Sequence, residues 1–397
     1  MSKKLALIIF PVHFSNEKIE KFELNIFKNK GFEIRVHDIT DIIYSIQRPK
    51  AKSNNTTIKK FSKIKDWEDE LYKIKSKKYS EIIILNFLLQ YTNFKDYILF
   101  KKLTILDAKN IGFLNAGTYN PNYSSALISF KHIRKFIHHL KLNISYLKTF
   151  IELKKIGFKF YAILAGSLSE KRNFHLSSFY LKIKIIDGHC WDISNIHYLS
   201  QQDNSIEKGY GVLLDGAGPK FKNDENYLNT KSILTAKRWY PRLCFLFDFL
   251  ESSFKTNIII KAHYSSIHPN NPDYFGNRKV FHHSLINLIK NSSFVITRMS
   301  TSLIIALFYN KPVIIITSDE HLTSPSGKLY QGNISQYLSC SYINLDNSHT
   351  FNKIKLNKIK ESIRIKFLRN FGSLTNFNIC NASIIINDLN EKKQKLK

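Results

Sequence analysis

Short apolar runs alternate with longer amphipathic segments along most of this chain. The runs at residues 5–11 and 81–87 are rich in Ile and Leu and are bounded by polar residues, which predicts buried strands. Residues 16–30 and 67–77 carry apolar side chains at helical spacing and predict helices. Strands that alternate with helices in this way predict an α/β fold built on parallel sheets.

The clearest pattern of this kind runs from residue 257 to residue 318. Three runs rich in Ile and Val predict strands of one sheet, and an apolar helix is predicted between the second and the third. The sequence Asn310-Lys311-Pro312 predicts the end of that helix, because proline cannot continue it. A strand, a helix and a further strand make a βαβ unit, which implies a parallel sheet. The strand runs are 258–260, 294–297 and 312–317.

Three consecutive hydroxyl residues, Ser300, Thr301 and Ser302, stand where this helix is predicted to begin. The N–H groups at a helix N-terminus and the positive end of its dipole suit a phosphate. The pattern therefore predicts a phosphate site, and an ordinary helix cap without a ligand is the alternative.

A chain of 397 residues is longer than one ordinary hydrophobic core, so two domains are predicted. Strands and helices alternate up to residue 198 and resume at residue 211, after a polar segment at 201–208. We predict two Rossmann-like domains that face each other across a ligand cleft. Their predicted bounds are 1–205 and 206–375, followed by a C-terminal helix and basic tail at 376–397.

The composition is that of a folded and strongly basic protein. The chain is 43% hydrophobic and 13% aromatic, which argues against disorder, and its formal net charge is +29. Such a charge suits nucleic acid, an anionic membrane surface or an anionic substrate. The cations are spread along the chain, however, and its abundance of Lys, Ile and Asn is also what an AT-rich genome would encode. The basic helix predicted at residues 131–155 can rest on phospholipid head groups or simply face solvent.

The sequence predicts a cytoplasmic protein, soluble or bound peripherally to the inner face of the cytoplasmic membrane. Its cysteines are widely spaced, which gives no zinc motif or disulfide framework and favours a reducing compartment. The first apolar run is broken by Pro11 and His13, so it predicts a strand better than a signal peptide. No apolar stretch reaches the ~20 residues that a spanning helix needs. The cysteines are Cys190, Cys244, Cys340 and Cys380.

Asp215 is the carboxylate that the pattern singles out. It directly follows the predicted strand GVLL, and Gly216, Ala217 and Gly218 leave room around it. Ligands favour the carboxyl ends of strands in open α/β sheets. A carboxylate there can act as a general base or as a nucleophile at an anomeric carbon, while a cap of the following turn is the alternative.

Histidine and cationic side chains fall at the ends of neighbouring predicted strands. His263 and Lys261 end the run IIIKAH, and a histidine there can protonate a phosphate leaving group. Arg298 directly follows the strand FVIT and, like Arg278, can bind a phosphate or carboxylate through both arms of its guanidinium group. Asp192 is a catalytic candidate from the first domain. Weaker candidates are Glu170, Arg172 and the pair His282 and His283, which is predicted to cap a helix.

Several catalytic motifs do not occur in the sequence. It has no GxxxxGK[ST], no GxGxxG after a strand, no HExxH and no GxSxG. P-loop nucleotidases, Rossmann dehydrogenases, zinc proteases and α/β hydrolases are therefore disfavoured. No DxD motif follows a predicted strand, so we expect no metal ion that clamps a diphosphate, and no cofactor.

Taken together, these segments resemble those of a known family. The motifs LDGAGP, Trp239-Tyr240, FDFLE, IIIKAHYS, GNR, KNSSFVIT and STSLIIALFYNKPVI are similar to those of bacterial surface-carbohydrate biosynthesis proteins. Those proteins are glycosyltransferases of the two-domain GT-B class, akin to capsule and lipopolysaccharide enzymes that use CMP-activated Kdo or sialic acid. The resemblance covers roughly residues 185–318, and the first domain matches only in general layout.

The resemblance implies roles for the matching residues. His263 matches the histidine of the family's His-Pro motif, and the hydroxyls at 300–302 match its serine/threonine motif; both contact the nucleotide phosphate in that family. Asp215 matches a strand-end acid near the reacting carbon. Tyr264 stands where proline is usual, and a His-Pro pair follows at 268–269, so that later histidine is the alternative to His263.

The implied function is transfer of a sugar from CMP-Kdo or a CMP-sialic-type donor to a surface polysaccharide or lipooligosaccharide. The implied partners are the nucleotide sugar, a glycan or glycolipid acceptor and an inner-membrane surface, and no metal is needed to stabilise a departing monophosphate. A UDP- or GDP-sugar donor is one alternative. A non-enzymatic, basic nucleic-acid-binding protein is another, although the diffuse charge makes nucleic acid an unexpected partner. The predicted catalytic residues are Asp215, His263 and Asp192, and the predicted nucleotide ligands are Lys261, Arg278, Arg298, Ser300, Thr301 and Ser302.

Overall fold

The computed structural model shows two compact units, each built on one parallel sheet. The second unit contains the chain from Ile196 to Leu368, and the chain from Arg369 onward belongs to the first unit. The structure describes residues 3–11, 14, 17–44, 57–91, 97–114, 131–194, 196, 207–216, 218–220, 233–263, 272–298, 300–323 and 334–395.

The sheet of the first unit has seven parallel strands. They are β1 (Lys4–Phe10), β2 (Phe32–Asp38), β3 (Ile58–Lys60), β4 (Glu81–Asn86), β5 (Lys109–Leu114), β6 (Ala162–Ala165) and β7 (Lys184–Asp187). Their order along the sheet is β3-β2-β1-β4-β5-β6-β7, so the direction of winding reverses between β1 and β4. This reversal is the mark of a doubly wound, Rossmann-like sheet.

The strand β1 illustrates why the sheet is covered on both faces. Leu5, Leu7 and Ile9 belong to one buried cluster, whereas Ala6 and Ile8 belong to a second cluster. All five side chains are fully buried. A parallel strand with helices on both of its faces has a continuous apolar run, and this is the pattern that predicted the strand.

The sheet of the second unit has six parallel strands and repeats the same order. They are β8 (Gly211–Leu214), β9 (Ile258–Lys261), β10 (Val280–Phe281), β11 (Phe294–Thr297), β12 (Val313–Thr317) and β13 (Ser341–Asn344). Their order along the sheet is β10-β9-β8-β11-β12-β13, so the reversal falls between β8 and β11.

Helices follow most of the strands and cover the sheets. One of them has the bounds that the sequence predicted, residues 131–155. In chain order they are α1 (Glu17–Lys21), α2 (Leu24–Asn29), α3 (Thr40–Tyr44), α4 (Ile64–Ser76), α5 (Leu88–Tyr91), α6 (Tyr97–Leu103), α7 (Lys131–Lys155), α8 (Leu168–Asn173), α9 (His175–Leu181), α10 (Ala236–Phe254), α11 (Leu285–Asn291), α12 (Leu303–Phe308), α13 (Asp319–Leu322), α14 (Glu361–Phe371) and α15 (Asn381–Lys395).

The segment predicted as one helix over 16–30 forms two, α1 and α2. The break lies at Phe22 and Glu23, where Glu23 has left-handed backbone angles with φ 57°. The buried carboxylate of Glu23 accepts a hydrogen bond from the N–H of Ala382 at 2.8 Å, and burial raises its pKa. The break therefore lets Glu23 cap α15, a contact with the far end of the chain that local periodicity does not reveal.

The sequence of residues 353–371 looks helical, but α14 begins only at Glu361. The preceding residues 354–360 have no regular secondary structure. The side chain of Ser341, at the start of β13, donates to the carbonyl of Lys355 and accepts from its N–H, both at 3.0 Å. Ile354 and Ile359 are buried at the same time. This docking onto the sheet competes with the local helical preference and prevails over it.

The chain after Arg369 completes the first unit. The side chain of Asn381 accepts from the N–H of His189 and donates to its carbonyl, both at 2.9 Å. The ring of His189 contacts the hydroxyl of Ser373 and the carbonyl of Ile379, both at 2.7 Å. The apolar residues of α15 in the core are Ala382, Ile385, Ile386 and Leu389.

The two doubly wound sheets confirm the predicted α/β class with two Rossmann-like domains. The sequence NAGTYNPN at 115–122, which reads as a turn-rich loop after a predicted strand and so as a candidate ligand site, lies outside the described residues, as does the His-Pro pair at 268–269. Among the helices that the structure describes, none combines the length and the apolar character needed to cross a membrane.

Candidate active site

The carboxyl ends of the second sheet bring several predicted site residues to one edge. Asp215 directly follows β8, Arg298 directly follows β11, and His263 lies two residues after β9. The strand β8 pairs with β9 on one side and with β11 on the other, in each case up to the last residue of the strand. The three residues therefore leave the sheet side by side, at the reversal where open α/β sheets bind ligands.

Asp215 lies at the reversal itself. Its N–H donates to the carbonyl of Lys261 at 3.0 Å, which continues the ladder one residue past the strand. The residue is 8% exposed, so its carboxylate is largely withdrawn from water. Burial, and after it the negative charge of Asp215, raise the pKa of the Tyr240 hydroxyl. Asp215 is thus close to a phenol that stays protonated and can donate a hydrogen bond at neutral pH.

The first turn of α10 carries two aromatic residues that belong to this site. Trp239 and Tyr240 are both buried. The guanidinium carbon of Arg298 lies 5.8 Å from the centre of the Trp239 ring, a distance typical of a cation–π contact. Gly218 packs on the same ring: its φ is +38°, and a Cβ atom added there would lie 3.2 Å from the indole nitrogen. The backbone after Asp215 and the side chain of Arg298 are therefore both held by Trp239.

The hydroxyl residues at 300–302 stand directly before a helix, as predicted, and Ser302 is its N-cap residue. The helix α12 begins at Leu303 and is only six residues long. The N–H of Ser302 donates to the hydroxyl of Ser300 at 3.2 Å, and the N–H of Leu303 donates to the carbonyl of Ser300 at 3.2 Å. These N–H groups are engaged within the turn, so a ligand meets hydroxyl groups instead, above all that of the exposed Thr301.

Lys261 supports the same edge from inside the protein. Its ammonium group donates to the carbonyl of Ala262 at 2.6 Å and to that of His282 at 2.9 Å. These bonds join the end of β9 to the residue that follows β10. These bonds use two of the three N–H groups of the ammonium, and a direct contact between Lys261 and a nucleotide stays a prediction.

Arg278 lies at the opposite end of its strand from the candidate site, because it precedes β10. Its guanidinium group donates to Glu251 at 2.6 and 3.0 Å and to Asp248 at 2.6 Å. A further bond reaches the carbonyl of Phe275 at 3.1 Å. We therefore leave Arg278 out of the candidate donor ligands. Its carboxylate partners come from α10, and no local pattern in the sequence indicates this long-range pairing.

The candidates from the first domain lie in the first unit. Asp192 accepts a hydrogen bond from Lys21 at 2.7 Å. Glu170 lies in the first turn of α8, where its N–H donates to the hydroxyl of Ser167, and burial raises the pKa of its carboxyl to about 7. Arg172, on the same helix, is exposed. Among the described residues of both units, no three His, Cys, Asp or Glu side chains are grouped to hold a metal ion.

The first sheet carries aromatic rings at its own reversal. Phe10 ends β1 and Phe87 directly follows β4, and their ring centres are 5.1 Å apart. Phe87 stacks on Phe113 at 4.4 Å, and Trp191 contacts Phe113 at 5.1 Å. All four side chains are buried. Among the described residues, aromatic rings thus occupy the reversal of the first sheet, whereas a carboxylate and a guanidinium group, those of Asp215 and Arg298, lie at the reversal of the second sheet.

Trp239 and Tyr240 belong to the motifs that carry the family resemblance, but the sequence did not predict a role for them in the site. They stand in a strongly apolar helical segment, where aromatic residues usually belong to the core. Their position in the chain is what could have indicated a role in the site. The helix that follows a parallel strand starts again at the carboxyl edge of the sheet, so its first turn lies near the strand-end residue, here Asp215.

Comparisons with known proteins show the fold. The wall teichoic acid polymerase TagF matches with a TM-score of 0.54 and 12% identity, over 99% of this chain and 90% of that chain. A TagF variant soaked with CDPG matches with a TM-score of 0.52 and 12% identity, over 100% and 90%. UDP-GlcNAc 2-epimerase from Methanocaldococcus jannaschii gives 0.47 and 11%, over 98% and 99%. No family model and no curated protein matches the chain. The two doubly wound sheets and the similarity to TagF show the GT-B fold.

Proposed function

We propose that this protein is a glycosyltransferase that binds a nucleotide-activated sugar at the carboxyl edge of its second sheet. The observation that supports this is the placement of Asp215 and Arg298 on the two sides of the reversal between β8 and β11. Sugar transfer from a nucleotide needs a carboxylate near the reacting carbon and a cation near the departing phosphate. Both groups stand at the point of the sheet where such folds bind their ligands.

Asp215 acts at the reacting carbon. As a general base it would take the proton of the acceptor hydroxyl while the bond from the sugar carbon to the phosphate oxygen breaks. As a nucleophile it would first form a glycosyl ester, which the acceptor then displaces with retention of configuration. The protonated hydroxyl of Tyr240 is suited to orient the carboxylate in either case. The stereochemical outcome distinguishes the two roles.

Arg298, His263 and the hydroxyls at 300–302 act on the phosphate. Packing on Trp239 restricts the guanidinium group of Arg298, so less conformational entropy is lost when it binds an anion. His263 can give a proton to the leaving phosphate. The exposed hydroxyl of Thr301 can donate a further hydrogen bond. Together these groups can offset the charge of a monophosphate without a metal ion, which is part of the proposal.

The donor that we favour is a CMP-activated acidic sugar of the Kdo or sialic acid type, and the acceptor is a surface polysaccharide or a lipooligosaccharide. The support comes from the sequence motifs around the described site residues, Asp215, His263 and 300–302. A UDP- or GDP-sugar donor is the alternative within the same fold. The reaction is proposed to occur in the cytoplasm.

A second candidate is a polymerase of the teichoic acid type that uses CDPG. It is favoured by the similarity to TagF, which extends over 99% of this chain, and by the TagF variant that was soaked with CDPG. Both candidates place the nucleotide at the same edge of the second sheet, and they differ in the group that is transferred.

Thermal unfolding of the full chain with a panel of ligands tests both candidates. The panel contains CMP, CDPG, UDP, GDP, ADP and a short DNA duplex, each with magnesium and with a chelator. A ligand of the folded state at about 100 times its Kd stabilises it by ~2.7 kcal/mol, a clearly measurable shift. Stabilisation by CMP alone without metal supports the favoured donor, and stabilisation by CDPG supports the second candidate. A response to DNA alone that disappears at high salt would refute the enzyme proposal.

The variant Asp215→Asn tests the catalytic assignment once a donor is known. It keeps the size of the side chain and removes the charge, so donor binding should persist while transfer falls by about 100-fold or more. Asp248→Asn is the matched control, because Asp248 is an exposed carboxylate that pairs with Arg278 away from the site. Equal transfer by Asp215→Asn and the control would remove Asp215 from the mechanism.

A further inference from the structure

Exposed apolar side chains are concentrated on two helices of the first unit that pack against each other, α7 and α9. Of the twelve large hydrophobic residues that are exposed in the described part of the chain, five lie on this pair. Phe179 and Tyr180 of α9 are the most exposed of the twelve, at 72% and 64%. Scattered single residues of this kind are normal on a protein surface, but a concentration of them indicates a contact surface. The other three are Leu140, Ile144 and Ile151 of α7.

The described side chains of α7 are ordered around the helix in three strips. Asn143, Thr149, Phe150 and Leu153 are buried against the protein. At about 100° per residue, the exposed Leu140, Ile144 and Ile151 fall within one arc of about 40° beside the buried strip. The next arc, on the far side from the protein, holds the exposed lysines Lys141, Lys148 and Lys155.

The charge next to the apolar strip is positive. Lys155 pairs with Glu152 at 2.6 Å, whereas Lys141 and Lys148 form no ion pair with the residues that the structure describes. Two further exposed cations are Arg172, on α8, and Lys182, the residue that directly follows α9. An apolar strip bordered by long cationic side chains fits the boundary of a bilayer, where the apolar groups enter the acyl region and the cations reach the head groups.

We infer that the surface formed by α7 and α9 binds the face of an anionic lipid bilayer. The helix lies in the plane of the interface, its apolar strip and the pair Phe179 and Tyr180 enter the lipid, and its lysines contact anionic head groups. Each lysine near an anionic leaflet strengthens such binding roughly fivefold. This inference does not depend on the proposed transferase activity, because it concerns a surface of the first unit.

The charge pattern favours a bilayer over a second copy of the same chain. A symmetric dimer through this surface would bring its lysine strip against the lysine strip of the other copy, or near it. Lys141 and Lys148 have no acidic partner among the described residues, and the chain as a whole carries a formal charge of +29. Such an interface would pair like charges, whereas an anionic bilayer offers the complementary charge.

Vesicle sedimentation with the full chain tests the inference. The vesicles are phosphatidylcholine alone and phosphatidylcholine with a third of phosphatidylglycerol. We expect the wild type to bind the anionic vesicles at least tenfold more tightly, and Ile144→Glu with Ile151→Glu to lose at least tenfold of that affinity. Lys141→Glu with Lys148→Glu should abolish the preference for phosphatidylglycerol. The control is Tyr72→Glu with Ile98→Glu, on α4 and α6 of the same unit, where the side chains are 53% and 51% exposed.

Three results would overturn the inference. The first is equal binding of the wild type to both kinds of vesicle. The second is unchanged binding of either double variant on α7 while its circular dichroism and melting temperature match those of the wild type. The third is a dimer in sedimentation velocity that dissociates in the Ile144→Glu and Ile151→Glu variant, with no vesicle binding by the wild type; this would assign the surface to a second copy of the chain.

Discussion

Replacing Glu170 with glutamine should make the first unit more stable in mildly alkaline solution and leave its stability unchanged in mild acid. The carboxyl of Glu170 lies in the first turn of α8, and burial raises its pKa from 4.5 to about 7. No described residue forms an ion pair with it. Glutamine has nearly the same shape and stays neutral at every pH, so the substitution isolates the cost of the charge.

The sign of the effect follows from proton linkage. Between pH 4.5 and 7 the folded state holds a proton on Glu170 that the unfolded chain has released, so stability falls as the pH rises through this window. Each pKa unit corresponds to 1.36 kcal/mol, which gives about 3 kcal/mol at pH 8. Part of the residue remains accessible to solvent, so we expect Glu170→Gln to stabilise the first unit by about 2 kcal/mol at pH 8 and by nearly nothing at pH 4.5.

Urea unfolding followed by tryptophan fluorescence measures this difference. Trp67 and Trp191 lie in the first unit and Trp239 lies in the second, so a Trp239→Phe background leaves only reporters of the first unit. The free energy of unfolding would be measured at pH 5, 6, 7 and 8 for this background with and without Glu170→Gln. In the difference between the two free energies of unfolding, the contributions from the titration of all other groups cancel.

The solvent-exposed Glu152 provides the control, since Glu152→Gln makes the same chemical change on the surface of α7. Its effect should be small and should not grow between pH 5 and pH 8. A difference for Glu170→Gln that stays constant over this range would refute the assignment of a raised pKa to Glu170. A variant that is less stable at pH 8 than its parent would show that the ionised carboxylate has a stabilising partner.

Two further predictions concern the first unit and use the same assay. Burial, and after it the charges of Arg35 and Lys59, lower the pKa of His37 to about 3, while Trp67 donates a hydrogen bond to its Nδ1 at 3.1 Å. Stability should therefore be lost as the pH falls below 6.5, by about 2 kcal/mol at pH 5, and His37→Gln should remove this dependence; an unchanged slope would contradict the burial argument. Asn381→Ala should cost about 2–4 kcal/mol because it leaves two buried backbone groups without partners, whereas Asn387→Ala, exposed on the same helix, should cost little. Equal costs for the two asparagines would mean that α15 is held by its apolar residues alone.

Local pattern was enough to predict most of the elements and the class of the fold. The apolar runs became strands, and the bounds of α7 were predicted to the residue. Asp215 and Arg298 were found because each directly follows an apolar run, and parallel strands end at one edge of their sheet. Local pattern thus determines whether a segment forms a strand or a helix, and which residue stands at its end.

Errors arose where a distant contact prevails over a local preference. Glu23 breaks the predicted helix at 16–30, and its carboxylate caps α15 by accepting from the N–H of Ala382, which lies 359 positions later in the chain. Ser341 holds Lys355 in a non-helical segment. Arg278 has carboxylate partners 27 and 30 positions earlier, on a different element. These contacts depend on which elements become neighbours in space, and neither residue type nor periodicity encodes that choice.

The return of the chain to the first unit has a consequence for how the protein folds during synthesis. The core beside β1 includes residues of α15, and the side chain of Asn381 bonds to both backbone groups of His189. This core is therefore incomplete until α15 has left the ribosome. The residues of the second unit between Ile196 and Leu368 all emerge earlier. The first unit therefore begins to be translated before the second unit but completes its core after it. Until then part of its apolar core is exposed, and a chaperone would act on this incomplete state.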